Sequence, residues 1–144
     1  MLSDVPVGQA QDLAWLLSGL VQRVPHTRSA LLLSSDGLKK AAHGLDPDSA
    51  DHLAAIASGL FSLARSAGGR FGGGDGVRQV VAELDDTLLF VSAAGSNAFL
   101  AVLAARGADV GVLGYEMSQL VKSVRPYLGT PTRQVFGGPD NAIR

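Results

Sequence analysis

Leu13, Leu16, Leu17, Leu20, Val21 and Val24 recur at helical spacing and form one apolar stripe, which predicts an amphipathic helix over residues 10–24. Pro25 ends it. An apolar run at 29–34, an Asp36-Gly37 turn pair and a returning segment at 38–43 then read as a β-hairpin. Asp46 and Pro47 have the N-cap and first-turn chemistry of a helix start. That second helix is predicted to run to about Ala67 and to stop at Gly68-Gly69. After a glycine-rich connector, "RFGGGDG", three strands are expected at 77–84, 87–93 and 98–105, with turns at Asp85-Asp86 and Gly95-Ser96-Asn97. Asp109 caps a last helix to about Val124, broken by Pro126.

The order is therefore αββαβββα. The runs "LLFVSAA" and "FLAVLAA" are apolar at nearly every position. Successive strand residues point to opposite faces, so both faces of these strands need cover. This predicts an α/β (α+β) three-layer sandwich, a five-stranded, mostly antiparallel sheet between helices. Residues 1–9 read as a flexible lead-in, 10–128 as the single domain and 129–144 as a flexible tail.

Two features do not belong to a core. On a helical wheel the second helix carries Leu53, Ile56, Ala57, Leu60, Phe61, Leu63 and Ala64 on a broad apolar arc assigned to the sheet. The opposite arc holds Asp51, Ala55, Ser58, Gly59, Ser62 and Ser66, where a free surface would carry Lys and Glu. Small uncharged residues let another backbone approach, so this arc is read as an interface; the competing reading is an Ala-rich surface. The strand at 77–84 alternates, with Val80, Ala82 and Leu84 on one face and Val77, Gln79, Val81 and Glu83 on the other. It has no Pro or Lys, so as an edge it is open to pairing with another strand, whereas Lys39 and Lys40 protect the second strand. A symmetric dimer joining two open edges would bring two copies of the second helix together. Trp15 lies opposite the apolar stripe of the first helix; it is either a contact with another chain or covered by a loop or the tail.

Composition narrows the function. The 144 residues are 47% hydrophobic and 17% charged with a formal net charge of −1, enough apolar content for one core and no general attraction to nucleic acid or an anionic membrane. No cysteine is present, which excludes disulfides, thiolate metal sites and a cysteine nucleophile. His26, His43 and His52 are scattered without metal-ligand spacing. No apolar run is long enough to span a bilayer, and the N-terminus lacks the pattern of a signal peptide. The glycine run lacks the GxxxxGK[ST] of a phosphate loop. No GxSxG elbow occurs, and Asp85-Asp86 reads as a solvated turn. No catalytic residue, cofactor or metal is assigned, and a cytoplasmic, non-enzymatic protein is expected.

The segments "VPHTRSALLLSSDGL", "ADHLAAIASGLFSLARSAGG" and "RQVVAELDDTLLFVSAAGSNAFLAVLAARGADVGVLGYEMSQLV" resemble, in order and spacing, the roadblock/LC7 family in its actinobacterial form. The resemblance covers residues 12–128. It departs at His26-Thr27, where a Gly-Val-like turn is expected. The resemblance implies strand order 2-1-5-4-3, with the second helix on one face and the first and third on the other. It implies dimers formed through the second helix and third strand, here Asp51, Ala55, Ser58, Gly59, Ser62, Val77, Gln79 and Val81. It further implies a scaffold or regulator of a Ras-like small GTPase, in some members promoting GTP hydrolysis, encoded near a sensor-kinase-like protein. Such a role allows peripheral membrane association through partners. Asp51, Ala55, Ser58, Ser62, Arg65 and Arg70 are the candidate docking residues, with the two arginines as arginine fingers or plain surface cations. A small-ligand sensor is the alternative; it would need convergent polar groups in a cavity, and the sequence offers few.

Overall fold

The structure, a computed structural model, describes residues 7–72, 74 and 76–128. Along the chain run α1 (Val7–Arg23), β1 (Thr27–Ser34), β2 (Lys39–His43), α2 (Pro47–Phe71), β3 (Gln79–Glu83), β4 (Thr87–Ala93), β5 (Ala98–Ala105) and α3 (Val110–Leu128). The strands form one sheet in the order β2-β1-β5-β4-β3, and every neighbouring pair is antiparallel. The fold class and strand order are those expected.

Period-two alternation sorts the strand side chains into two cores. Ala30 and Leu32 of β1, Leu88 and Phe90 of β4, and Leu100 and Val102 of β5 pack with the leucine stripe of α1 and with Leu113, Met117 and Leu120 of α3. The intervening residues, Leu31, Leu33, Leu89, Val91, Phe99 and Ala101, pack beneath Ala50, Leu53, Ala54, Ala57 and Phe61 of α2. The α2 layer owes its close approach to alanine: three of its five buried residues are Ala. Phe61 fills the remaining space, its ring 4.2 Å from that of Phe99.

Local chemistry sets the element ends. The Asp46 carboxylate accepts from the Ser49 amide at 2.8 Å and from the Ser49 hydroxyl at 3.0 Å, satisfying a first-turn donor of α2. Asp109 accepts from the Val112 amide at 3.1 Å and does the same for α3. Gly44, between β2 and α2, has φ +81°, and a Cβ there would lie 2.6 Å from the Arg28 carbonyl oxygen.

Several boundaries differ from expectation; β1, for example, begins at Thr27 rather than Ser29. α1 starts at Val7, inside the expected lead-in; residues 1–6 and 129–144 lie outside the described residues. α2 passes through Gly68-Gly69 and closes at Gly72, whose amide donates to the Gly68 carbonyl at 2.9 Å. Glycine weakens a helix without forbidding it. The Gly74 amide also reaches the Gly68 carbonyl, at 3.4 Å, and a Cβ on Gly68 would meet the Gly74 carbonyl oxygen at 2.9 Å. The first glycine pair thus makes room for the chain to fold back. Pro126 lies inside α3; it removes one donor in the last turn, which Tyr127 holds by packing on the core. β3 is shorter than expected. Val77 precedes it and packs with Val80 and Ala82 against the α2-side core, instead of sharing the face of Gln79 and Val81.

Candidate interaction surface

The sheet covers only part of the apolar surface of α2. Ile56 and Leu63, assigned by the wheel to the sheet, are 53% and 70% exposed. The arc is wider than the sheet contact, and its centre lies nearer Ala50 and Ala54, which short side chains made inconspicuous. Phe71, in the last turn, is 81% exposed.

The two flanks of α2 have different surroundings. On one, the Lys39 ammonium of β2 is 3.9 Å from the Asp51 carboxylate. The Ser58 hydroxyl donates to the Ser35 carbonyl in the β1–β2 turn at 3.2 Å. That flank is turned to the lysine-bearing edge. On the other, Leu60 is half-buried and packs with the cluster that includes Val77, Val80 and Ala82, which turns Ile56 and Leu63 toward the β3 side. Between the flanks, Ala55, Gly59, Ser62 and Ser66 form an exposed crest, and a Cβ on Gly59 would meet nothing within 4 Å.

β3 is an edge strand, hydrogen-bonded to β4 alone. Val80 and Ala82 face α2, while Gln79, Val81 and Glu83 face the other way and are exposed. Val81 is 52% and Leu84 51% exposed. The structure therefore separates the expected interface set. Val77, Gln79 and Val81 lie at the β3 edge; Asp51 and Ser58 turn to the opposite edge; Ala55, Gly59 and Ser62 lie between. Ile56 and Leu63, which the wheel gave to the sheet, are exposed beside the β3 edge. The available signal was that these two sit at the margin of an apolar arc too broad for one sheet contact.

The cations near the end of α2 are exposed. The Arg65 guanidinium lies 5.7 Å from the Phe61 ring centroid and that of Arg70 lies 5.6 Å from the Phe71 ring centroid. Arg70 is in the last helical turn, not in the connector. Trp15 is 72% exposed among the described residues. Asp86 belongs to the β3–β4 turn, where it accepts from the Thr87 hydroxyl at 3.0 Å and its carbonyl lies 3.5 Å from the Arg28 guanidinium. Among the described residues no three His, Cys, Asp or Glu side chains are grouped to hold a metal, and no helix is long and apolar enough to cross a membrane. What this surface offers chemically is apolar area, small residues and an unpaired strand edge, the equipment for protein contacts.

The fold is a three-layer α+β sandwich in the strand order β2-β1-β5-β4-β3, with Ile56, Leu63 and the β3 edge exposed on one side. A family model for the Roadblock/LC7 domain matches residues 13–104. A crystal structure of a Roadblock/LC7 domain from Streptomyces avermitilis is 75% identical, with a TM-score of 0.80 over 81% of this chain and 98% of that one. A second Roadblock/LC7 domain from the same organism is 43% identical, with a TM-score of 0.63 over 77% and 96%. The gliding protein MglB of Thermus thermophilus shares the fold at 16% identity, with a TM-score of 0.76 over 88% and 97%. Among curated protein sequences none matches. The chain belongs to the Roadblock/LC7 family.

Proposed function

We propose that this protein is a non-enzymatic dimeric platform that binds a Ras-like small GTPase in a bacterial signalling system, with stimulation of GTP hydrolysis as a consequence of docking. The observation that carries the reading is the exposed apolar shoulder of α2, Ile56 and Leu63, on the same side as the unpaired edge of β3. Two copies joined edge to edge would continue the sheet through β3 and bring the two shoulders into contact across the two-fold axis. The small-residue crest of Ala55, Gly59 and Ser62 would then face outward from a pair of adjacent helices, flanked by Arg65 and Arg70. Asp51 and Ser58 would border it on the lysine side. A surface of that kind suits a second protein better than a small substrate, since it is broad, shallow and carries no convergent acid–base groups. The GTPase as partner follows from the family resemblance, as does a sensor-kinase-like protein encoded nearby. The place of action would be the cytoplasm, with any membrane association supplied by partners.

The test is co-purification. The full chain is mixed with Ras-like small GTPases of its own organism, each loaded with GDP or with a non-hydrolysable GTP analogue. Binding of one nucleotide form in preference to the other is expected, lost on substituting Ala55 and Ser62 with Glu. Failure of both forms to bind at micromolar concentration would overturn the reading.

A further inference from the structure

On the face opposite α2 the helices leave part of the sheet uncovered. α1 packs over β1 and β2, and α3 leans on β5. A cleft of about 620 Å³ opens between α3 and the start of β3 with the end of β4, within the range of roughly 300–1,000 Å³ typical of small-molecule sites. Met117 and Val121 of α3 supply the apolar wall; the opposite side is the start of β3 and the end of β4, where Val77 and Ala93 pack against the α2-side core. Gln79 and Ser92 lie on the sheet; the Gln79 amide donates to the Ser92 hydroxyl oxygen at 3.1 Å, which leaves the Ser92 O–H free to donate into the cleft.

The charge of the cleft is one-sided. Arg23 pairs with Glu116, and Arg106 with Glu83. Arg28 donates to Thr87, and Arg65 and Arg70 lie over aromatic rings. Among the described residues Arg78 and Arg125 are the arginines with none of these partners, and both line the cleft, which has no carboxylate in its wall. Their meeting follows from topology. β3 runs parallel to β5, because each is antiparallel to β4. α3 turns back after β5, so its last turn, with Arg125, returns to the end where Arg78 leads into β3. Two arginines in the wall of one cleft, with no carboxylate beside them among the described residues, suit an oxyanion that carries an apolar body.

Gly114 points the same way. It is in the interior of α3, lines the cleft, and a Cβ there would meet nothing within 4 Å. Alanine would fit and favour the helix, so neither packing nor backbone requires the glycine, and a larger side chain there would project into the cleft.

We propose that this cleft is a binding site for a small anionic molecule with an apolar body. Its phosphate or carboxylate group lies between Arg78 and Arg125, and its body lies along Met117 and Val121. The site opens on the face opposite α2, away from the crest of Ala55, Gly59 and Ser62, and shares Val77 and Gln79 with the β3 edge; the dimer is read from solution mass and the site from amide shifts, so the failure of one leaves the other standing.

The experiment is a heteronuclear NMR titration of the isotopically labelled full chain with phenyl phosphate, benzoate, inorganic phosphate and phenol as separate probes. Saturable shifts of the amides of Arg78, Gln79, Ser92, Gly114 and Ser118 are expected with phenyl phosphate or benzoate at millimolar concentration, and the stronger of the two identifies the anion. The double variant Arg78→Gln, Arg125→Gln should bind at least about tenfold more weakly. Gly114→Leu should fill the cleft and abolish the response while the solution mass stays as in the wild type. No saturable shift in the wild type would overturn the proposal, as would equal binding by Gly114→Leu. Inorganic phosphate or phenol binding as tightly as phenyl phosphate would also overturn it, since the site needs both anion and body. A response to an acidic peptide without one to either aromatic anion would overturn it in favour of a protein partner.

Discussion

At the scale of single residues, the departure at His26-Thr27 has a physical cost. His26 has φ +72°, the left-handed region that glycine enters freely and other residues enter with strain. The Thr27 hydroxyl is buried without a hydrogen-bond partner, where valine would bury a methyl group of nearly the same size. The Gly-Val-like turn implied by the resemblance is thus the pair this backbone accommodates best. His26→Gly should stabilise the fold by about 1 kcal/mol and Thr27→Val by about 1–2 kcal/mol, read as higher midpoints in urea; a fall in either would refute the assignment of strain. Asp46 supplies a pH-dependent contribution. The Ser49 amide, and after it the Ser49 hydroxyl, hold its carboxyl below the ordinary value of 3.8. A lowered folded-state value means the contribution is fully present above the unfolded value and is lost as pH falls through the folded one. Asp46→Ala should therefore melt lower than the wild type at neutral pH, and the gap should narrow below a pH of about 4. A gap constant with pH would show that the cap owes nothing to its charge.

At the scale of elements, α2 depends on one large side chain. Phe61 is 2% exposed and stacks on Phe99 of the central strand β5, while its neighbours on that face, Ala54 and Ala57, are too small to close the space it would leave. Phe61→Ala should cost about 3–5 kcal/mol in chemical denaturation, with the α2-side amides losing exchange protection first. This asymmetry between one phenylalanine and several alanines explains what could be read beforehand. β4 and β5 were legible to the residue, because unbroken apolar runs between turn signals fix both ends and both faces. The caps of α2 and α3 were legible because Asp46 and Asp109 act locally. The far ends were not, since whether Gly68 or Gly72 closes α2 depends on the chain folding back onto the Gly68 carbonyl, and whether Pro126 stops α3 depends on the packing of Tyr127. The phase of α2 was also hidden: a wheel weights Ile56 and Leu63 above Ala50 and Ala54, whereas the sheet selects for close approach. The arginine cleft was invisible for a related reason, since Arg78 and Arg125 are far apart in sequence and meet only through the reversal of α3.

At the scale of the whole molecule, the question is which side of α2 another copy would use, and the two flanks make opposite predictions. On the lysine side the surface is already engaged within the chain, through Lys39 with Asp51 and Ser58 with the Ser35 carbonyl. On the β3 side, Ile56 and Leu63 are exposed beside an edge strand that carries no Lys or Pro of its own. Exposed leucine and isoleucine next to an unpaired β edge are a liability in a monomer and an asset in a dimer. Leu63→Glu would place a carboxylate against its two-fold mate, and Val81→Lys would give β3 the charge that guards β2. Each should halve the mass measured by light scattering while leaving the circular dichroism of the fold unchanged. Ser58→Glu should do the reverse: it removes the bond to Ser35 and lowers the melting temperature, yet leaves the mass as it was. Ala55→Glu, on the crest, should preserve the dimer and weaken partner binding. If instead Ser58→Glu dissociates the protein and Leu63→Glu does not, the copies meet across the lysine edge, and the open rim of β3 serves some other chain.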